Sequence, residues 1–284
     1  MARKESTRQK KRDGNREFAK SAARALGGAI IFSLPIFMTM EMWSTGLSIE
    51  PLRVAAALFV SYPVLVGMSH FLGFEPTFEL IDDAVDGFVA LAIGLITSFL
   101  MLVLLAVLDA RTQASDLLAQ TSLQAVPASF GALLAQSQLG SGSEKEEEEE
   151  RIGVAGYAGE LFFMFIGAVF LAFNIAPTEE VVLIAARATA WHMVALIIVS
   201  LLLLHAFAYA MQFAGTVQRA PGVSSTSALL HYGMPGYIIA LLACGLLLWV
   251  FGRFDGSGLD HSLRMVVVLG MPASLGAAAA RLVL

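Results

Sequence analysis

Lysine almost disappears from this chain after its first twenty residues: Lys4, Lys10, Lys11 and Lys20 are followed only by Lys145. No apolar stretch therefore offers an amine for a chromophore Schiff base. The single cysteine, Cys244, excludes an intrachain disulfide, and its apolar surroundings mark it as a small buried hydrophobe. Charged residues make up only 14% of the chain, too few for an ordinary soluble domain. Also missing are H-E-x-x-H, G-x-S-x-G and a Walker loop, and no predicted span carries a mid-membrane aspartate pair of the kind that intramembrane proteolysis uses. These absences argue against an enzyme, and no cofactor is expected.

What is present is apolar. Hydrophobic residues account for 57% of the chain, and the mean hydropathy is +0.73. Crossing the hydrocarbon core of a bilayer, ~30 Å, takes roughly 20 apolar residues. Eight stretches qualify as candidates: 25–47, 54–72, 84–108, 118–138, 155–177, 190–213, 234–252 and 263–283. The fourth, LLAQTSLQAVPASFGALLAQS, is the least apolar, and a span that polar must face other helices rather than lipid. The expected fold is all-α, a polytopic helical membrane protein with almost no soluble mass.

Nine of the 18 Lys and Arg residues lie within the first 24 positions. Positive charge beside a first span holds that end in the cytoplasm, and residues 1–24 read as a basic cytoplasmic tail that touches anionic lipid headgroups. The tail is too long for a secretory signal peptide. Its one aromatic residue is Phe18, which leaves no basis for stacking on bases, so no nucleic acid partner is expected.

The chain also repeats itself. Shifted by 139 positions, Gly28-Ala29 falls on Gly167-Ala168, Thr39 on Thr178, Glu41 on Glu180, Val60-Ser61 on Val199-Ser200 and Phe74 on Phe213; shifted by 145, Pro127-Ala128-Ser129 falls on Pro272-Ala273-Ser274. This pattern points to two four-helix repeats, 25–140 and 154–284. Between them, 141–153 holds glycine, serine and a glutamate run, expected to form a disordered linker. An even number of spans per half makes the repeats parallel and places both termini inside. Pro127 and Pro272 each remove a backbone hydrogen bond and kink a helix. Around them, with Ser129 and Ser274, small residues recur every fourth position, a spacing that lets backbones approach closely in lipid.

Three groups of polar residues are candidate sites. Glu75, Glu79, Asp82, Asp83 and Asp86 recur at helical spacing before the third span, an acidic cytoplasmic mouth that attracts cations; some of these acids simply suit a helix start. If a metal binds there, His70, Glu75 and Glu79 are its candidate ligands, and so many carboxylates suit a hard divalent ion. Glu41 and Glu180 occupy equivalent places near the outer ends of their spans, with Glu179 adding a neighbouring charge. Counted from Arg24, Glu41 lies ~25 Å along the helix axis, beside Trp43, and an acid inside a span needs a reason. His205, Tyr209 and Gln212 form one polar stripe on the sixth span, read either as an interhelical hydrogen-bond network or as a proton relay.

The phrases TMEMW (39–43), AVPAS (125–129) and NIAPTEE (174–180) resemble a family of bacterial integral membrane proteins known only as a domain of unknown function. The resemblance runs over nearly the whole chain outside the basic tail. It implies a multi-pass protein of the bacterial cytoplasmic membrane and brings no activity, substrate or catalytic residue. The leading expectation is a transporter or channel for a small solute or cation, proton-coupled in one version. The alternative is a non-transporting membrane scaffold or stress sensor whose tail and linker contact lipid or a partner.

Overall fold

The computed structural model describes the backbone of residues 2–72, 79–139, 142–212 and 232–283, and side chains within 19–72, 79–136, 156–206 and 232–280. Ten helices run through these residues: α1 Ala2–Phe37, α2 Met40–Ser48, α3 Pro51–Leu72, α4 Leu80–Leu104, α5 Ala114–Leu139, α6 Gly142–Ile175, α7 Glu179–Arg187, α8 Ala190–Gln212, α9 Met234–Val250 and α10 Leu259–Val283. Among the described residues five stretches are long and apolar enough to cross a membrane: Pro51–Leu72, Leu80–Leu104, Ala114–Gln136, Gly156–Ile175 and Leu259–Ala280. A sixth is added if the bent pair Ala19–Phe37 and Met40–Ser48 is taken as one span.

Not all of the eight stretches read from hydropathy are continuous helices of spanning length. The stretch expected as a single first span, 25–47, breaks after Phe37, where Thr39 is extended (φ −93°, ψ 116°) and starts the separate helix α2. The seventh, α9, has 17 residues, or ~25 Å of helix, and the described apolar part of α8 ends at Ala206. The fourth, by contrast, is the most deeply buried of the candidate spans, as its polarity requires. The acidic run expected as a disordered linker falls within the helical backbone of α6. Glutamate and lysine are good helix formers, and Gly156 (φ 58°, ψ −149°) divides this stretch from the apolar helix that follows.

Two compact units divide the chain; in sequence they meet at Glu148–Glu149, within 141–153, and Thr39–Ala57 groups with the second unit. One unit holds Met1–Met38 and Leu58–Glu148; the other holds Thr39–Ala57 and Glu149–Leu284. In the first, α5 packs against α1 and α4. A Cβ on Gly131 would lie 2.8 Å from both the Gly28 carbonyl oxygen and the Phe32 Cβ, and one on Gly28 would overlap Ala135. The two backbones touch with nothing between them. Ala25, Ala29, Phe37, Ala128 and Ala132 close the core around this crossing. Gln136 fastens one end of it, donating from Nε2 to the Ser21 carbonyl at 2.9 Å. On its other side α5 meets α4, where a Cβ on Gly94 would lie 2.6 Å from the Ala125 carbonyl oxygen.

In the second unit α10 packs against α7, α8 and α9, and Gly276 meets Gly167 of α6, backbone on backbone. A Cβ on Gly167 would also lie 2.6 Å from the Ala280 Cβ. Proline and serine recur in both central helices. Pro127 and Pro272 are interior to α5 and α10. Ser129 Oγ donates to the Ala125 carbonyl at 2.6 Å and Ser274 Oγ to the Met271 carbonyl at 2.7 Å.

The connection between α4 and α5 is pinned by Asp109, whose carboxylate accepts from the Arg111 N–H and the Thr112 hydroxyl. These bonds hold its carboxyl below the usual carboxylate range. What the turn contributes is therefore present above the ordinary aspartate pKa and is lost as pH falls through the lowered one.

Two neighbouring glycines separate packing from helix propensity. Gly28→Ala places a methyl group into the α5 backbone and is expected to destabilise the protein by about 1–3 kcal/mol. Gly27→Ala, whose Cβ would meet nothing within 4 Å, is expected to leave the melting temperature in detergent unchanged or raised.

Candidate functional site

The clearest polar constellation joins the end of α3 to the start of α4. His70 lies in the last turn of α3, and Asp82 and Asp83 lie in the first turn of α4. The two helices approach closely at Gly87, where a Cβ would stand 3.2 Å from the Val66 backbone nitrogen. Tyr62 OH donates to the Ala84 carbonyl at 3.0 Å. This approach turns Asp83 inward until it is 1% exposed, while Asp82 stays at the surface. The Asp83 Oδ2 meets His70 Nδ1 at 2.9 Å, and the imidazole itself is mostly exposed. A buried carboxylate thus reaches solvent through one histidine, an arrangement that can hold or pass a proton or gather a cation. The acids do not form one uniform face: Glu79 is the exposed N-cap of α4, Asp86 is half-buried, and Glu75 lies outside the described residues. Among the described residues no three His, Cys, Asp or Glu side chains group as a metal site.

Glu41 and Glu180 are each the second residue of a short helix that follows a break. Thr39 and Thr178 precede these helices in extended conformation (φ −93°, ψ 116° and φ −84°, ψ 152°). Carboxylates in a first turn are stabilised by the helix dipole. Glu41 is half-buried and Glu180 is exposed. The ~25 Å depth expected for Glu41 does not hold, because it assumed a continuous helix of that length and α1 stops at Phe37. Glu179 has a partner the sequence did not reveal: its carboxylate accepts from Arg253 at 2.7 Å, and the same guanidinium donates to the Pro177 carbonyl.

Arg253 belongs to a set of three arginines that serve helix ends in the second unit. A helix terminus leaves carbonyls without intrahelical donors, and a guanidinium has five N–H groups to offer. Arg264 donates to the Ala188 carbonyl at the end of α7 and to Asp260. Arg53, in the first turn of α3, donates to the Trp249 carbonyl and to Asp255 at 2.8 Å, and stacks 5.6 Å over the Trp249 ring. Sequence reasoning passed over all three. The readable signal was an isolated arginine two residues after Pro51 and another within the glycine-rich stretch FGRFDGSG (251–258).

Of the stripe on α8, His205 is half-buried, while the side chains of Tyr209 and Gln212 lie outside the described residues. A further set of buried polar groups missed in the sequence is in the first unit. Thr97 and Ser98 on α4 and Gln120, Thr121 and Gln124 on α5 are buried. Thr97 Oγ1, Ser98 Oγ, Gln120 Oε1, Thr121 Oγ1 and both amide atoms of Gln124 have no hydrogen-bond partner. Their i, i+4 spacing was visible on α5, but their depth was not.

Residues 21–284 match a family model described as "Putative integral membrane protein (DUF2391)". No curated protein and no solved structure matches the chain.

The arginine contacts predict an asymmetric pair of substitutions. Arg253→Ala is expected to destabilise the detergent-solubilised protein by roughly 1.5–3 kcal/mol, since it orphans a carbonyl as well as breaking a charged hydrogen bond. Glu179→Gln removes only an exposed partner and is expected to cost under about 1 kcal/mol. Thermal melts of the two variants side by side check the order.

Proposed function

Since the chain belongs to this family of integral membrane proteins, we propose that it is a transporter or channel for a small solute or cation, proton-coupled in one version, built as two parallel four-helix repeats. The observation that carries this reading is α5, the most deeply buried candidate span and the one lined by buried polar side chains. Burying such groups without partners costs free energy in a bilayer, which a purely structural helix would avoid with apolar residues.

The repeat is supported by the register of the elements. Helices α7 and α8 begin 139 residues after α2 and α3, and α10 begins 145 residues after α5. At those offsets Gly28, Gly131 and Ala135 correspond to Gly167, Gly276 and Ala280, and each set makes the same backbone contact in its own unit. This equivalence favours taking α8 and α9 as spans despite their length. Four spans per half put both halves in the same direction through a bacterial cytoplasmic membrane. The basic residues before α1 favour termini on the inside, against anionic headgroups.

Along the route, Asp83 with His70 is proposed as the ionisable group at one mouth. Glu41 and Glu180 are the equivalent carboxylates of the two repeats. In reconstituted vesicles the wild-type protein is expected to raise flux of a small solute or cation above that of protein-free vesicles. Glu41→Gln combined with Glu180→Gln is expected to abolish it with an unchanged melting temperature. Unchanged flux in the double variant removes the pair from the route, and no flux of any solute through the wild type overturns transport itself.

A further inference from the structure

The buried polar groups of the first unit lie at one level of the bundle. Along α1 and α5, Ser21 is level with Gln136 and Phe32 with Gly131, so the helices run antiparallel and Phe37, the end of α1, comes level with the turn around Gln124. Along α4 and α5, Gly94 is level with Ala125 and Ser129. One turn further on α4 are Thr97 and Ser98, which brings them level with Thr121 and Gln124. Gln120, Thr121 and Gln124 share one face of α5, and the Gly94 side of α4 carries both hydroxyls. All five residues are at most 7% exposed. Not one is ionisable, and their unpartnered atoms include acceptors, hydroxyls and the Gln124 amide nitrogen.

The second unit shows that the fold does not require this polarity. At an offset of 145, the positions of Gln120, Thr121 and Gln124 hold Met265, Val266 and Leu269. Met265 and Leu269 are fully buried. The flanking Pro127, Ser129, Gly131 and Ala135 are matched by Pro272, Ser274, Gly276 and Ala280. At these three positions the central helix is thus apolar in one unit and polar in the other.

We infer that Thr97, Ser98, Gln120, Thr121 and Gln124 form a binding layer for a small uncharged solute carrying both hydrogen-bond donors and acceptors. This names the substrate class and rests on the transport reading above. Buried amides and hydroxyls left unpaired are costly, and a solute that pairs with them recovers that loss. An ion entering the layer would shed its hydration with no counter-charge among these residues. A polyol or a urea-like molecule brings matching groups and no charge.

The test uses the full-length protein and the triple variant Gln120→Met, Thr121→Val, Gln124→Leu, which installs the residues of the second unit. Two readouts are taken: melting temperature in detergent, and stopped-flow permeability of proteoliposomes to glycerol, urea, Na⁺ and K⁺. The wild type is expected to pass glycerol or urea faster than protein-free vesicles. The variant is expected to melt about 2–4 °C or more higher, because orphaned polar groups are gone, and to fall back to the protein-free rate for both solutes. A lower melting temperature shows that the polar groups are satisfied within the fold and overturns the inference. Retained glycerol or urea permeation in the variant overturns it as well. A wild type that passes only Na⁺ or K⁺ overturns the uncharged class and leaves transport standing; one that passes none of the four overturns the assignment of a polyol or urea-like solute.

Discussion

The structure depends on two places where helix backbones touch. Between helices immersed in lipid there is no hydrophobic gain to be had, so association rests on close packing and on the polar contacts that closeness permits. Gly28 against Gly131, and Gly167 against Gly276, let backbone meet backbone at the crossing. Each crossing draws α5 or α10 into contact with several neighbours at once. Only a helix surrounded in that way can carry glutamine and threonine inward, since the same residues facing lipid would be left unpaired there. The glycine contact therefore comes first, and the polar interior of α5 is possible because of it.

The same constraint explains the breaks. A span that ends inside a membrane protein leaves carbonyls that must find donors. After Ile175 and after Arg187 the chain leaves helical geometry. The carbonyls of Pro177 and Ala188 are then met by Arg253 and Arg264, which come from the α9–α10 connection and from α10. Arg53 treats the Trp249 carbonyl in the same way. Each arginine side chain is largely buried and pairs with an exposed carboxylate. Because exposed pairs contribute little, the carbonyl bonds are the stronger reason for a guanidinium at these positions.

Much of this was legible in the sequence, and the parts that were not share a cause. The membrane class followed from composition, and the burial of α5 followed from its polarity. The offsets 139 and 145 were visible in Gly28, Thr39, Glu41 and Pro127 before any geometry, and helix starts keep the same spacing. Hydropathy could not show that 25–47 is broken, because the residues on both sides of Met38-Thr39 are apolar and a window average runs across the gap. The overlooked cue was Thr followed at once or nearly so by Glu, in Thr39-Met40-Glu41 and Thr178-Glu179-Glu180, which is the composition of a helix start. Asp82 and Asp83 posed a harder problem. Adjacent residues on a helix differ by about 100° in direction, and only the approach of α3 at Gly87 decides that Asp83 faces inward.

Under the proposed repeat, what the two halves share and where they differ separates two kinds of constraint. Residues that set the backbone path are the same in both halves: a threonine before the short helix, a proline and a serine in the central helix, and glycines at the crossing. Residues that fill the interior one to two turns away are free to differ, since volume rather than identity governs packing. Met265, Val266 and Leu269 are what packing alone selects at those positions, with no polar atom to satisfy. Gln120, Thr121 and Gln124 occupy comparable volume and add hydrogen-bonding groups that nothing in the fold uses. On the proposed reading the polar set serves something other than packing, and the first unit carries it.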